Sequence, residues 1–122
     1  MKILLIEPDK KLGDIYKRAL VQAGHTVKWA AHAQDAVHSA DDSKPDVIVL
    51  ELQLASHNGI EFLYEFRSYA EWQTIPVILL TMVSPQSLNI TREMMQAFGI
   101  VECLYKPATN LKQLVNAIED LS

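Results

Sequence analysis

The feature that most constrains this chain is the run Val47-Ile48-Val49-Leu50, entered through Pro45 and closed by Glu51. No polar residue interrupts it, so it does not read as a strand with one wet face. A short, unbroken and mostly β-branched run reads as a strand buried on both faces, the centre of a parallel sheet. Helices must then cover both faces. Glu51 stands where this strand leaves the core at its C-terminal end, and in open α/β sheets that edge is where ligands sit. The polar stretch Ala55 to Gly59 follows as a loop.

The same kind of run recurs along the chain. Lys2 to Ile6 reads as a strand ending at Glu7-Pro8-Asp9, and Val77 to Leu80 as another, introduced by Ile75-Pro76 and ending at Thr81. Thr26 to Ala30 is a short strand with weak alternation, and a last strand spans about Val101 to Tyr105 before Lys106-Pro107. Between them the spacing turns helical. Leu12, Ile15, Tyr16, Ala19 and Leu20 mark a helix over Lys10 to Ala23, with Asp9 as N-cap and Gly24 as stop. Ala33 to Ala40 is a small Ala-rich helix without a convincing cap, and Gly59 to about Tyr69 presents Ile60, Leu63 and Phe66 on one face with Phe62 beside them. Ser84-Pro85 is expected to open a helix through Leu88, Thr91, Met95 and Phe98, closed by Gly99. Leu111, Leu114, Val115, Ile118 and Leu121 mark the final amphipathic helix. This βα alternation with short connections predicts one α/β domain over residues 1–122, a parallel sheet with right-handed crossovers.

The 122 residues suffice for a core without disulfides or structural metal. A net charge of -4 gives this domain no electrostatic footprint for nucleic acid. The single cysteine, Cys103, excludes an internal disulfide. The apolar run after Met1-Lys2 is too short for a signal peptide, and no run reaches membrane-spanning length, so the expected address is cytoplasmic. His25, His32, His38 and His57 lack metal-ligand spacing.

A parallel sheet brings the polar strand ends to one edge: Glu7 with Asp9, Glu51, Thr81 and Lys106. Carboxylates that could hold a cation, beside a lysine and a hydroxyl that could contact phosphate oxygens, form a coherent phosphoryl or metal site. The chain resembles the receiver domains of two-component response regulators. The resemblance rests on Ile3-Leu4-Leu5-Ile6-Glu7, Pro45-Asp46-Val47-Ile48-Val49-Leu50, and Gly59 eight residues after Glu51. It rests also on Ile75-Pro76-Val77-Ile78-Leu79-Leu80-Thr81 and Leu104-Tyr105-Lys106-Pro107. It implies a flavodoxin-like (βα)5 fold with strand order 2-1-3-4-5, and a cis bond between Lys106 and Pro107 that aims Lys106 into the site.

The departures from the family pattern bear on function. Glu51 stands where the resemblance implies a phosphoacceptor aspartate, and Pro8 where it implies a second acidic Mg²⁺ ligand after Glu7. Asp9 is then expected to point into the first helix. Thr81 and Lys106 match the phosphate-sensing hydroxyl and the lysine, Cys103 replaces the aromatic switch residue, and a few extra residues separate Thr81 from Gly99. Glutamate is one methylene longer than aspartate, and in-line phosphoryl transfer depends on close positioning. The expectation is a pseudo-receiver that is not an enzyme, without Mg²⁺ or another cofactor, signalling by protein contact to an attached or separate output, most plausibly transcriptional.

Its contact surface, by resemblance, is the face of the fourth helix, last strand and last helix, with Met94, Met95, Phe98 and Tyr105, in a homodimer or on a partner protein. The alternative is a competent receiver that takes a phosphoryl group on an unusual carboxylate with Mg²⁺. Other readings also stay open. Glu51 with Lys106 is either a built-in mimic of the phosphorylated state or a residual polar pocket, and Glu7 is a metal ligand or a partner for Lys106. Thr81 is a switch hydroxyl or a plain strand end. Cys103 reads as a small buried strand residue rather than a redox sensor, and Tyr105, on the same face, could inherit aromatic switching. Met82, Met94 and Met95 fill the core or line an adaptable surface, while Trp29 and Trp72 read as packing or partly exposed.

Overall fold

A computed structural model describes residues 1–54 and 58–122. The polar loop expected after the central strand, and His57 with it, therefore lies partly outside the described residues.

The elements alternate as expected: β1 (Lys2–Ile6), α1 (Lys10–Gln22), β2 (Thr26–Ala30), α2 (Ala33–Asp42), β3 (Val47–Leu50), α3 (Gly59–Arg67), β4 (Val77–Thr81), α4 (Arg92–Phe98), β5 (Ile100–Tyr105) and α5 (Leu111–Glu119). Two short 3-10 turns, Ala70–Trp72 and Lys106–Ala108, follow α3 and β5. The strands form one parallel sheet in the order β2-β1-β3-β4-β5, with β3 between β1 and β4.

Because neighbouring strand residues point to opposite faces, the unbroken apolar runs supply two cores. Leu4, Ile6, Ile48, Leu50 and Leu79 face α2, α3 and Phe98 of α4. Ile3, Leu5, Val49, Ile78 and Leu80 face Tyr16 and Leu20 of α1 and Leu114 and Ile118 of α5. On the first face the aromatics dominate: Phe66 stacks between Phe62 (centroids 5.3 Å apart) and Trp72 (4.7 Å).

Capping follows the side chains present. The Asp9 carboxylate accepts the Leu12 N–H at 2.9 Å, and Asn110 and Gln113 form a reciprocal capping box at the start of α5. The His32 side chain makes no capping bond to α2, in keeping with that helix's uncapped sequence.

Three expectations fail. Ser84-Pro85 opens a turn, in which the Ser84 carbonyl accepts from Ser87 and Leu88, and α4 begins only at Arg92. The Thr91 side chain accepts the Met94 N–H and sets that start, while Asn89, Ile90 and Thr91 are weak helix formers. Cys103 is exposed, as are Val101 and Glu102, because β5 is an edge strand with incomplete cover. The Lys106–Pro107 bond is trans, since no cis peptide occurs among the described residues. β5 runs directly into the Lys106–Ala108 turn, where Pro107 stands second and its fixed φ suits the first turn of a helix.

Candidate functional site

The C-terminal ends of β1, β3, β4 and β5 bring Glu7, Glu51, Thr81 and Lys106 together at the centre of one sheet edge. Glu7, Glu51 and Thr81 are all buried, at 2%, 3% and 1% exposure. The Lys106 ammonium lies between the carboxylates, 2.6 Å from Glu7 Oε1 and 2.7 Å from Glu51 Oε1.

Glu51 is fully engaged. Its Oε1 accepts from Lys106 and from the Met82 N–H at 2.9 Å; its Oε2 accepts from the Thr81 hydroxyl and from the Gln53 N–H at 3.1 Å. Two bonds per oxygen use the usual acceptor capacity of a carboxylate. The Thr81 hydroxyl in turn accepts the Val83 N–H at 3.1 Å. Glu7 Oε2 accepts the Asp9 N–H at 3.1 Å, so Asp9 meets Glu7 through its backbone while its carboxylate caps α1. Pro8 offers no side-chain donor or acceptor.

The electrostatics follow from burial set against these partners. Burial pushes the Glu51 carboxyl up, but hydrogen bonds from Lys106, Thr81, Met82 and Gln53 outweigh it and hold it below its ordinary value. Burial also pushes Glu7 up, and with only Lys106 and the Asp9 N–H to oppose it, Glu7 stays raised. Burial lowers Lys106, yet its bonds to Glu51 and Glu7 leave it raised and firmly charged. The arrangement therefore neutralises one carboxylate of two and leaves Glu7 as the group that protonates first. Among the described residues, no group of three or more His, Cys, Asp or Glu side chains is placed to hold a metal ion.

The remaining residues singled out in the sequence lie away from this cluster. Phe98 is buried, with Tyr64 edge-on at 4.9 Å, and belongs to the core rather than to an open face. Met94 and Met95 are half-buried against the same core. Met94, with Leu52, Ile60, Val83, Leu88 and Ile90, lines a groove of about 300 Å³. Tyr105 is half-buried and Cys103 exposed on β5. The main-chain donors of Gln53 and Met82 could not be read from residue type. Nor could Trp29, whose indole N–H donates to the Glu7 carbonyl at 2.9 Å across a separation of 22 residues.

Residues 3–119 match the response regulator receiver domain family, nearly the full chain. The chain belongs to that family. This places it in two-component signalling.

Among curated relatives, the transcriptional regulatory protein MalR of Bacillus subtilis is 30% identical over 109 residues, covering 88% of this chain and 44% of MalR. The KDP operon transcriptional regulatory protein KdpE of Escherichia coli is 33% identical over 88 residues, covering 72% of this chain and 38% of KdpE. The chain thus spans less than half the length of either relative. The chemotaxis protein CheY4 of Vibrio cholerae superposes with a TM-score of 0.85 at 24% identity, covering 99% of this chain and 98% of CheY4. The non-phosphorylated HemR receiver domain of Leptospira biflexa gives 0.82 at 27% identity, covering 98% and 92%. The receiver fold and its flavodoxin-like strand order are therefore as expected. No helix among the described residues is long and apolar enough to cross a membrane.

Proposed function

We propose that this receiver domain works without phosphorylation, as a pseudo-receiver that signals through protein contact. The observation that carries this reading is the saturation of Glu51: each oxygen already accepts two hydrogen bonds, one of them from Lys106. A nucleophilic carboxylate needs a free lone pair aimed along the line of attack. Here the oxygens point at Thr81 and Lys106, the groups that the family resemblance assigns to sensing a phosphoryl group. Glu51 stands in for part of such a group. It carries one charge and two acceptor oxygens, against the larger charge and three oxygens of a phosphoryl group.

Mg²⁺ has no place in this reading. It demands near-octahedral oxygen ligands. Pro8 supplies none, the Asp9 carboxylate caps α1, and the carboxylates of Glu7 and Glu51 already hold an ammonium ion. The domain is accordingly not an enzyme. Its contacts run through the face of α4, β5 and α5, where Tyr105 and the outward residues of α5 remain accessible, to a second copy or to an output domain. The named relatives are transcriptional regulators, which makes a transcriptional output the favoured one.

The test is an amide NMR spectrum of ¹⁵N-labelled protein, titrated with Mg²⁺ and then with acetyl phosphate. The expected result is no shift at Glu7, Glu51, Thr81, Met82 or Lys106, and no gain in mass. Saturable Mg²⁺ shifts at these residues, followed by covalent phosphate, would overturn the proposal.

A further inference from the structure

Glu7 is held by more than its carboxylate. Its N–H donates to the Ala30 carbonyl at 3.0 Å, and its own carbonyl accepts the Trp29 indole N–H at 2.9 Å. The turn between β1 and α1 is thus tied to β2 on both sides of one residue. The indole reaches it because position 13 of α1 is glycine. A Cβ there would lie 2.1 Å from Cζ2 of the Trp29 ring, so any larger residue would expel the ring. The notch and the ring form a matched pair from two elements, and their meeting point is the backbone of a buried, charged residue.

We propose that Trp29 is a positioning residue for the ion-pair cluster: its indole bond to the Glu7 carbonyl, with the ring seated against Gly13, fixes the turn so that the Glu7 carboxylate meets Lys106. Pro8 adds to the need. It has no N–H to tie the turn down, and the Asp9 N–H is already given to the Glu7 side chain. With the indole bond removed, the Glu7 carbonyl loses a partner at a half-buried place and the turn is free to carry the carboxylate outward.

The consequence reaches beyond packing, because Glu7 and Glu51 share one ammonium. When Glu7 leaves, Lys106 pairs with Glu51 alone. The charged and titratable groups around Glu7 are Lys106 at the end of β5, Glu51 at the end of β3, Asp9 in the turn and Tyr16 of α1. None of these takes over the task of Trp29, since none bonds the Glu7 carbonyl. This inference stands whether or not the site accepts phosphate, so the acetyl phosphate titration can fail without touching it.

The test follows the Glu7 and Glu51 side-chain carboxyl ¹³C signals against pH. Two changes at position 29 separate donor from shape: Trp29→Phe, and benzothienylalanine placed at this position alone, which keeps the ring outline and lacks the N–H. Gly13→Ala probes the same contact from α1. In all three the Glu7 midpoint, held above its ordinary 4.5 by burial, is expected to fall toward that value. The Glu51 midpoint should stay low, because its hydrogen bonds do not pass through Trp29. In the unaltered protein, the Trp29 indole N–H signal should move with the same midpoint as the Glu7 carboxyl. An indole signal indifferent to Glu7 protonation would overturn the proposal without any variant having to fold. A Glu7 midpoint that stays put in the benzothienylalanine protein, or one that moves only together with Glu51, would overturn it as well.

Discussion

Glu7 and Glu51 carry the same group at nearly the same burial, yet their protonation is driven in opposite directions, and the difference is a count of donors. Glu51 has four hydrogen bonds to set against desolvation; Glu7 has two to its carboxylate. For Glu51 the folded state binds its proton less tightly than the unfolded state. Its contribution to stability is therefore present above the ordinary value of 4.5 and lost as pH falls below it. Glu7 works the other way: its raised value makes the folded state the better proton acceptor, so its ionisation costs stability as pH rises through that value. The two partly cancel in the whole protein, and a substitution at one of them exposes the other. Glu51→Gln keeps the shape but loses the charge facing Lys106, and should cost about 1–3 kcal/mol at pH 7. That difference should shrink as pH falls below 4.5, where the native carboxylate itself loses its advantage. Urea midpoints of the two proteins between pH 7 and pH 3 measure it. A constant gap across that range would mean that Glu51 is not the ionised partner of Lys106.

At the scale of elements, legibility depended on whether a segment's ends were written in its own residues. Asp9, Gly24, Pro45 and Thr81 mark boundaries that the structure keeps to within a residue or two. The start of α4 was misread because Ser84-Pro85 resembles a helix opening in residue type, whereas the turn there closes on itself and Thr91 does the capping. The other end of α4 was legible as Gly99, though only half of its reason was. Gly99 adopts φ 68°, a conformation that side chains disfavour. It also leaves room for Arg67, whose guanidinium donates to the carbonyls of Phe98, Trp72 and Ile75, tying α3 to the end of α4 and to the approach of β4. A Cβ at position 99 would lie 2.6 Å from Arg67 Nη2. Gly99→Ala should therefore cost about 1–2 kcal/mol for the backbone alone. The displaced guanidinium should add to that, and thermal unfolding should show a drop of several degrees. If the melting temperature is unchanged, the arginine clamp carries no weight in holding α4. No sequence rule points to such a clamp, because its acceptors are carbonyls and carry no residue type.

For the whole molecule, the sheet was legible because two-sided burial leaves an unmistakable apolar run, and β1, β3 and β4 each have one. Both edge strands were harder, β2 for its weak alternation and β5 for its exposure, and Cys103 was misplaced for that reason. The same gradient bears on how the molecule signals. Its candidate carboxylates and hydroxyl sit at the centre, on β1, β3 and β4, and Lys106 reaches them from the end of β5. That edge strand, which the face assigned to contacts includes, pairs only with β4 and breaks register between Val77 and Ile78. Local opening is easiest where fewest buried groups must separate. Amides of Ile48 to Leu50 should thus exchange with solvent only through global unfolding, and those of Val101 to Cys103 at least about tenfold faster. A partner or second copy bound at the α4, β5 and α5 face should slow the β5 amides first and leave the β3 amides unchanged, which native-state hydrogen exchange with and without added partner, or across protein concentration, resolves strand by strand. Equal protection of β3 and β5 in the free protein would remove the reason for expecting contact to act at that edge. Slowing confined to α1 and β2 would move the working surface to the side where Trp29 holds Glu7.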